Sequence, residues 1–109
     1  MDNNELKSLS WYKKEINDIY RKLHQAVQDE KNAVHIYNSI MISCAEAGYQ
    51  ASLNKKDKEL KEKFKRLYDI LQKEYYHVVD CVIKRKGYSD YLHQLKGQRS
   101  EVFDNESKS

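Results

Sequence analysis

A chain of 109 residues is long enough for one domain with one core and too short for two ordinary ones. It has no proline, three glycines and 34% charged residues, which excludes a turn-rich β fold and predicts an all-α protein with solvated helix faces. The net charge of +3 is small beside the interleaved acids and bases, so charge alone does not indicate nucleic-acid binding.

The N-terminal stretch, MDNNELKS, lacks the basic flank and apolar segment of a signal peptide. No segment reaches the ~18 consecutive apolar residues of a membrane span. Cys44 and Cys81 lie in apolar helical patterns without the spacing of metal ligands, which is typical of buried free thiols in a reducing compartment. We therefore expect a cytoplasmic protein with no membrane contact.

An apolar stripe predicts a first long helix from about residue 4 to residue 47. Apolar residues recur at steps of three and four from Leu6 to Cys44. Asn3 or Asn4 is placed to cap its start, and Gly48 is the first residue suited to end it. Glu30 falls on the inner side of the stripe, so the pattern leaves open whether the helix is continuous or breaks near Asp29.

Residues 48–56 have the composition of a loop, and Asn54 with Asp57 has the form of a capping box for the next helix. A second stripe, from Leu60 to Val82, predicts a second long helix that ends at Gly87 after three basic residues. Ser89 would then cap a short last helix that Gly97 terminates.

These elements predict an antiparallel helical hairpin of two long helices with a short C-terminal helix, resembling a three- to four-helix bundle. Residues 1–97 would form a single helical domain, and the polar residues 98–109 a disordered tail. Five of the nine tyrosines fall on or beside the stripes, where core packing is the expected role: Tyr12, Tyr20, Tyr37, Tyr68 and Tyr75.

Two segments, residues 36–48 and 75–83, are more apolar than the seam of two helices can bury. The last helix would cover the second segment, beside Trp11 and Tyr12, whereas nothing in the chain covers the first. The sequence therefore predicts a small non-enzymatic protein that acts by protein–protein interaction, as an adaptor, inhibitor or regulatory subunit, with a homodimer as one form. The predicted partner-binding residues are Ile36, Ile40, Met41, Ile42, Ala45 and Tyr49.

The alternative is a basic helical protein that binds nucleic acid. Basic residues crowd residues 55–66 and 84–86, although Asp57, Glu59 and Glu62 are threaded through the first group, as in a solvated helix face. The residues that would contact nucleic acid are Lys61, Lys65, Arg66, Lys84, Arg85 and Lys86.

The stretch His93-Gln94-Leu95-Lys96-Gly97 resembles the phosphoacceptor box of histidine phosphotransfer domains. The resemblance covers about six residues and implies phosphorylation of His93 within a four-helix bundle. A basic last turn closed by a C-cap glycine is the competing interpretation.

Histidines also suggest metal binding, through Glu74-x-x-His77 or a cluster of His24, His77 and Asp80. The first motif occurs once, whereas a bundle site with two metals needs it twice. The chain offers no nucleophile with a base partner and no glycine-rich phosphate loop. We expect no enzymatic activity, cofactor, metal or small-molecule substrate.

Overall fold

The computed structural model describes residues 6–108 as two long helices joined by a short loop. Helix α1 spans Leu9–Leu53 and helix α2 spans Lys58–Ser107. The all-α class and the pair of long helices are confirmed. Helix α1 is continuous through Asp29, so the break that the sequence left open does not occur.

Both helices turn a row of residues inward at alternating steps of three and four, the spacing of a coiled-coil seam. In α1 this seam runs through Tyr12, Ile16, Ile19, Leu23, Ala26, Glu30, Ala33, Tyr37, Ile40, Cys44, Ala47 and Ala51. In α2 it runs through Leu60, Phe64, Leu67, Leu71, Glu74, Val78, Cys81, Arg85, Tyr88, Leu92, Leu95 and Val102. Glu30 occupies one of these inward positions and is half-buried. The heptad pattern continues on both sides of it, and α1 is not interrupted there.

The described residues divide into two compact units. Unit 1 pairs residues 6–27 of the chain with residues 84–108, and unit 2 comprises residues 28–83 with the loop. Each unit packs a segment of α1 against a segment of α2.

Unit 1 holds a core of large side chains: Tyr12, Ile16, Ile19, Leu92, Leu95 and Val102. The Tyr12 side chain is 0% exposed, and its hydroxyl accepts a hydrogen bond from the Lys7 backbone N–H at 3.2 Å and donates one to Gln98 Oε1 at 3.3 Å. The Trp11 ring packs edge-on against Tyr12 at 5.0 Å between centroids. Trp11 and Tyr12 thus belong to the core of unit 1 rather than covering residues 75–83.

Unit 2 has a different interior. The buried α1 residues are small, namely Ala33, Cys44, Ala47 and Ala51. No α2 residue between Lys58 and Ile83 is fully buried. Small side chains let two helices approach closely, and the larger α2 side chains therefore spread to the flanks of the seam.

Side chains cap the start of each helix. Ser8 Oγ accepts a hydrogen bond from the Trp11 N–H at 3.2 Å, and the Asp57 carboxylate accepts from the Glu59 and Leu60 N–H groups at 3.0 and 3.2 Å. The predicted caps Asn3 and Asn4 lie outside the described residues. Asn54 belongs to the end of α1, because its backbone N–H and side-chain amide both donate to the Gln50 carbonyl, at 3.1 and 3.0 Å.

All three glycines lie inside helices, and none has a positive φ. The predicted helix ends at Gly48, Gly87 and Gly97 are therefore wrong, and α2 contains the residues assigned to a separate C-terminal helix. A C-cap glycine needs a left-handed conformation, which these glycines do not adopt.

The expected disordered tail from residue 98 is also corrected over the described residues. Helix α2 continues to Ser107, and Val102 is buried in unit 1. Val102 lies seven residues after Leu95, so the heptad seam extends past Gly97 and keeps the last turns of α2 packed.

Replacing Gly87 or Gly97 by alanine should raise the free energy of unfolding by about 0.5–1 kcal/mol at each site, since alanine favours the helix interior. An added Cβ meets no atom within 4 Å at either position. Urea denaturation followed by circular dichroism measures the change. A loss of stability would show a left-handed cap and contradict the continuous α2.

Gly48 should respond differently, because a Cβ added there would lie 2.9 Å from Cε1 of Phe64. We expect Gly48→Ala to gain less than the about 1 kcal/mol that helix propensity supplies, and to recover the rest in a Phe64→Ala background. A double-mutant cycle by urea denaturation measures this coupling. Equal effects of Gly48→Ala in both backgrounds would mean that the helices are not in close contact there.

Candidate functional site

Exposed apolar surface is concentrated in unit 2. Fourteen large apolar or aromatic side chains are exposed among the described residues, and twelve of them belong to unit 2. They are Val34, Ile36, Met41, Ile42, Tyr49, Leu53, Phe64, Tyr68, Ile70, Tyr75, Tyr76 and Ile83. Unit 1 exposes only Tyr20 and Phe103 of this set, so the two units differ in how completely their helices cover each other.

One flank of the seam in unit 2 is lined by residues four apart. Tyr37 lies beside Tyr75, with ring centroids 6.2 Å apart, and Gly48 approaches the Phe64 ring. A step of four residues advances about 40° round a right-handed helix. Because the helices are antiparallel here, the residue four positions after a contact residue lies on the same flank of the seam in α1 and in α2. The surface so formed, which we call the tyrosine face, consists of Tyr37, Met41 and Ala45 on α1, and of Phe64, Tyr68, Gln72 and Tyr75 on α2.

Ring contacts hold the aromatic side chains of this face in place. The Phe64 and Tyr68 rings lie 6.5 Å apart, and the Tyr75 and Tyr76 rings 5.8 Å apart, both edge-to-face. A shallow groove of about 350 Å³ runs among Tyr37, Tyr68, Leu71, Gln72 and Tyr75. The face therefore presents partly fixed rings around a groove, with phenol hydroxyls and one amide as polar groups.

The opposite flank of unit 2 is more polar. Its groove, of about 320 Å³, is lined by Ser43, Glu46, Ala47, Gln50, Leu60, Lys63 and Leu67. Ile70 is exposed on this side, because it lies two residues from Tyr68 and hence about 200° round the helix. This flank provides matched positions for control substitutions.

Unit 1 has a groove of its own, of about 590 Å³. It is lined by Leu9, Lys13, Arg99, Ser100, Phe103 and Asp104. The cations Lys13 and Arg99 are exposed, and the carboxylate of Asp104 accompanies them. The sequence did not nominate this groove.

Two of the six predicted partner-binding residues, Met41 and Ala45, lie on the tyrosine face. Both are exposed, and they lie four residues apart on α1. Another surface could contact them together.

The other four predicted residues point elsewhere. Ile40 is half-buried at the seam, and Ile36 is exposed on the flank of Ile70. Ile42 and Tyr49, seven residues apart, are exposed on the side of α1 away from α2. The predicted set therefore does not form one surface, although it remains a prediction that these residues bind a partner.

Sequence reasoning placed Tyr68 and Tyr75 on the packed stripe, whereas the structure leaves each about half exposed. Tyr20 is likewise exposed, Tyr37 is half-buried, and Tyr12 alone of the five is fully buried. The pair Tyr75-Tyr76 belongs to residues 75–83, which the sequence marked as more apolar than one seam can bury, since neighbouring residues cannot both face one seam.

The six predicted nucleic-acid contacts do not share one face. Lys61 and Lys65 are exposed on the side of α2 that carries the tyrosine face, farther from the seam than Phe64. Arg66 points away from this face. In unit 1, Lys84 and Lys86 are exposed and Arg85 is half-buried at the seam. Lys86 Nζ donates to Asp90 Oδ2 at 2.9 Å, as expected of a solvated helix face.

His93 is exposed on α2 within unit 1. Lys96, the basic residue of the resembling motif, lies over the Tyr20 ring at 4.9 Å from Nζ to the centroid. The described residues form two helices, not the four that a phosphotransfer bundle would have. Phosphorylation of His93 stays a prediction without geometric support.

The Glu74-x-x-His77 motif forms a contact within α2, with His77 Nδ1 2.9 Å from Glu74 Oε1. Among residues 6–108, no group of three or more His, Cys, Asp or Glu side chains is placed to hold a metal ion. Cys44 is buried and Cys81 half-buried, and both are free. Within the same residues, neither helix is long and apolar enough to cross a membrane.

Comparisons of the chain with protein-family models, with curated proteins and with solved structures find no significant match. The chemistry and geometry of the tyrosine face are thus the basis for assigning a function.

Proposed function

We propose that the protein acts by binding another protein through the tyrosine face, as an adaptor, inhibitor or regulatory subunit rather than as an enzyme. One observation carries the proposal: twelve of the fourteen exposed large apolar side chains belong to unit 2, and a row of aromatic rings lines one of its flanks. Large exposed apolar surfaces on small proteins commonly mark sites of protein association.

The residue types on this face suit a protein interface. Tyrosine and methionine are enriched at interface cores, and tyrosine is among the residues that contribute most when an interface is scanned with alanine. A tyrosine ring supplies contact area at a low cost in side-chain entropy, and its hydroxyl bonds at the rim. The ring contacts among Phe64, Tyr68, Tyr75 and Tyr76 reduce that cost further, because the rings are already partly ordered.

The groove between the two rows favours a helix as the partner element. Rows of residues four apart form ridges, and a helix packs by placing its own ridges into the grooves between them at an interaxial distance of about 8–10 Å. An amphipathic helix with apolar residues at steps of three and four would contact both α1 and α2.

Nucleic-acid binding is the second candidate, favoured by the position of Lys61 and Lys65 beside Tyr68, since bases stack on tyrosines along basic grooves. Unit 2 as a whole has nine basic and nine acidic residues, however, and is neutral. Asp57, Glu59 and Glu62 are interleaved with the basic residues of 55–66, which reduces the counterion release that drives most nonspecific nucleic-acid binding. Protein binding is therefore the stronger proposal.

Tyr68→Glu and Ile70→Glu form a matched pair for testing the proposal. Both positions are on α2, their exposures are 49% and 48%, and the introduced charge is the same. We expect the full-length protein, immobilised in an extract of the cells that make it, to retain a specific protein that Ile70→Glu still binds and Tyr68→Glu loses. Quantitative mass spectrometry of the bound fractions measures this.

Equal retention by both variants would remove the tyrosine face as the binding surface. For the second candidate, fluorescence titration with single-stranded and duplex oligonucleotides at low salt is decisive. We expect no measurable affinity, whereas binding that weakens steeply with salt would favour nucleic acid as the ligand.

A further inference from the structure

We propose that unit 1 contains a separate binding site for a small organic anion, a carboxylate joined to an apolar ring or chain. The site is the groove of unit 1, which we call the cationic groove. It is lined by Leu9 and Lys13 on α1 and by Arg99, Ser100, Phe103 and Asp104 on α2. It lies outside the tyrosine face, and its occupation does not depend on the function proposed for that face.

Two contacts between the helices define the flank of unit 1 that carries the groove. Lys13 lines the groove together with Phe103, and Lys96 Nζ lies 4.9 Å from the centroid of the Tyr20 ring. Tyr20 follows Lys13 by seven residues, and Lys96 precedes Phe103 by seven. Because the helices are antiparallel, both pairs lie on the same flank, about 10 Å apart along the helix axes. The groove therefore continues into a surface with a third cation and a second aromatic ring.

The exposed aromatic surface of unit 1 is confined to this flank. Tyr20 is 45% exposed and Phe103 60%, whereas the other large apolar side chains described in unit 1 are buried or half-buried. The Phe103 ring and the half-buried Leu9 side chain form an apolar wall within the groove. A ring or alkyl chain that covered this wall would remove apolar surface from water, which favours binding.

Lys13 and Arg99 make the same groove attractive to an anion. Both side chains are exposed, and neither forms an ion pair within residues 6–108. A guanidinium group binds a carboxylate through two parallel N–H···O bonds, and a lysine ammonium adds a further charged donor. The exposed Ser100 hydroxyl is a neutral donor on the same wall. The head of the ligand would thus lie between Lys13 and Arg99, with its apolar body on Leu9 and Phe103.

Most carboxylates of unit 1 lie away from the groove. Asp18 and Asp90 form ion pairs within their own helices. Glu15 and Glu101 each follow a cation of the groove by two residues and so point about 200° away from it round the helix. Asp104 is the one carboxylate in the lining, so the groove has two cations and one anion. A net charge of +1 suits a monoanion rather than a polyanion such as nucleic acid.

The size of the groove also favours a small molecule. Its volume of about 590 Å³ lies within the range of about 300–1,000 Å³ that is usual for small-molecule sites. The groove of the tyrosine face is smaller, at about 350 Å³, and has no lysine or arginine in its lining. The two units therefore offer surfaces of different chemistry, and an organic anion should select the cationic groove.

Two-dimensional amide NMR spectra of the full-length protein, titrated with naphthoate and with its neutral analogue naphthamide, test the site. We expect naphthoate to shift the signals of residues 9–13 and 99–104, and to bind at least about threefold more tightly than naphthamide, because only the carboxylate attracts Lys13 and Arg99. Decanoate in place of naphthoate should shift the same signals if the apolar wall accepts a chain as well as a ring. Shifts by either carboxylate at these residues support the inference.

Adjacent lysines provide a matched pair of variants. Lys13→Gln should raise the dissociation constant of naphthoate at least about threefold, whereas Lys14→Gln, about 100° further round α1, should leave it within about twofold of the wild type. Asp104→Asn should change the affinity in the opposite direction and lower the dissociation constant, because it removes the carboxylate from the lining. Circular dichroism verifies that each variant keeps its helices.

Three results would overturn the inference. The first is the absence of shifts at the cationic groove with both carboxylates, including shifts confined to the tyrosine face. The second is an equal affinity for naphthoate and naphthamide, or an equal effect of Lys13→Gln and Lys14→Gln, which would mean that the groove does not recognise charge. The third is a single-stranded oligonucleotide that displaces naphthoate, which would indicate a polyanion site. None of these results bears on protein binding at the tyrosine face, which the Tyr68→Glu variant tests separately.

Discussion

The small side chains on the inner side of α1 determine the character of unit 2. Ala33, Cys44, Ala47 and Ala51 are buried where the two helices meet, and Gly48 approaches the Phe64 ring so closely that a single added carbon would overlap it. A seam of this width accommodates few large side chains. The aromatic residues of α2 must then lie beside the seam, where a two-helix structure leaves them about half exposed.

In unit 1, by contrast, large residues of both helices fill the space between α1 and α2. Ile16 and Ile19 interlock with Leu92 and Leu95, and the buried Tyr12 hydroxyl is satisfied by hydrogen bonds. Burying a leucine or isoleucine side chain stabilises a fold by about 1.5–3 kcal/mol, so this core accounts for a large share of the stability of a small domain. Unit 2 can leave apolar surface available for binding because unit 1 contains the better-packed core.

The fold was predictable to the extent that it depends on periodicity. Apolar residues at steps of three and four predicted both long helices. The expected capping box was misplaced, because Asp57 caps α2 and Asn54 bonds back to the end of α1. The misplaced helix ends were all at glycines, because Gly48, Gly87 and Gly97 each follow a stretch that would suit a helix end. The heptad seam continues beyond every one of them, through Ala51 after Gly48, through Leu92 after Gly87 and through Val102 after Gly97, and the burial of these residues outweighs the cost of about 1 kcal/mol for a glycine inside a helix.

By itself, the sequence determined the helical class, the two long helices and the presence of more apolar surface than one seam can bury, since composition and spacing are local properties of the chain. Only the tertiary structure decided which apolar residues remain outside. That choice depends on the contact between α1 and α2: Tyr37 against Tyr75 and Gly48 against Phe64 fix the rotation of each helix about its axis. Rotating a helix by about 100°, the angle between successive residues, would bury the neighbour of each residue that is now buried. Adjacent apolar pairs such as Tyr75-Tyr76 are compatible with both orientations of the helix, so the sequence does not choose between them.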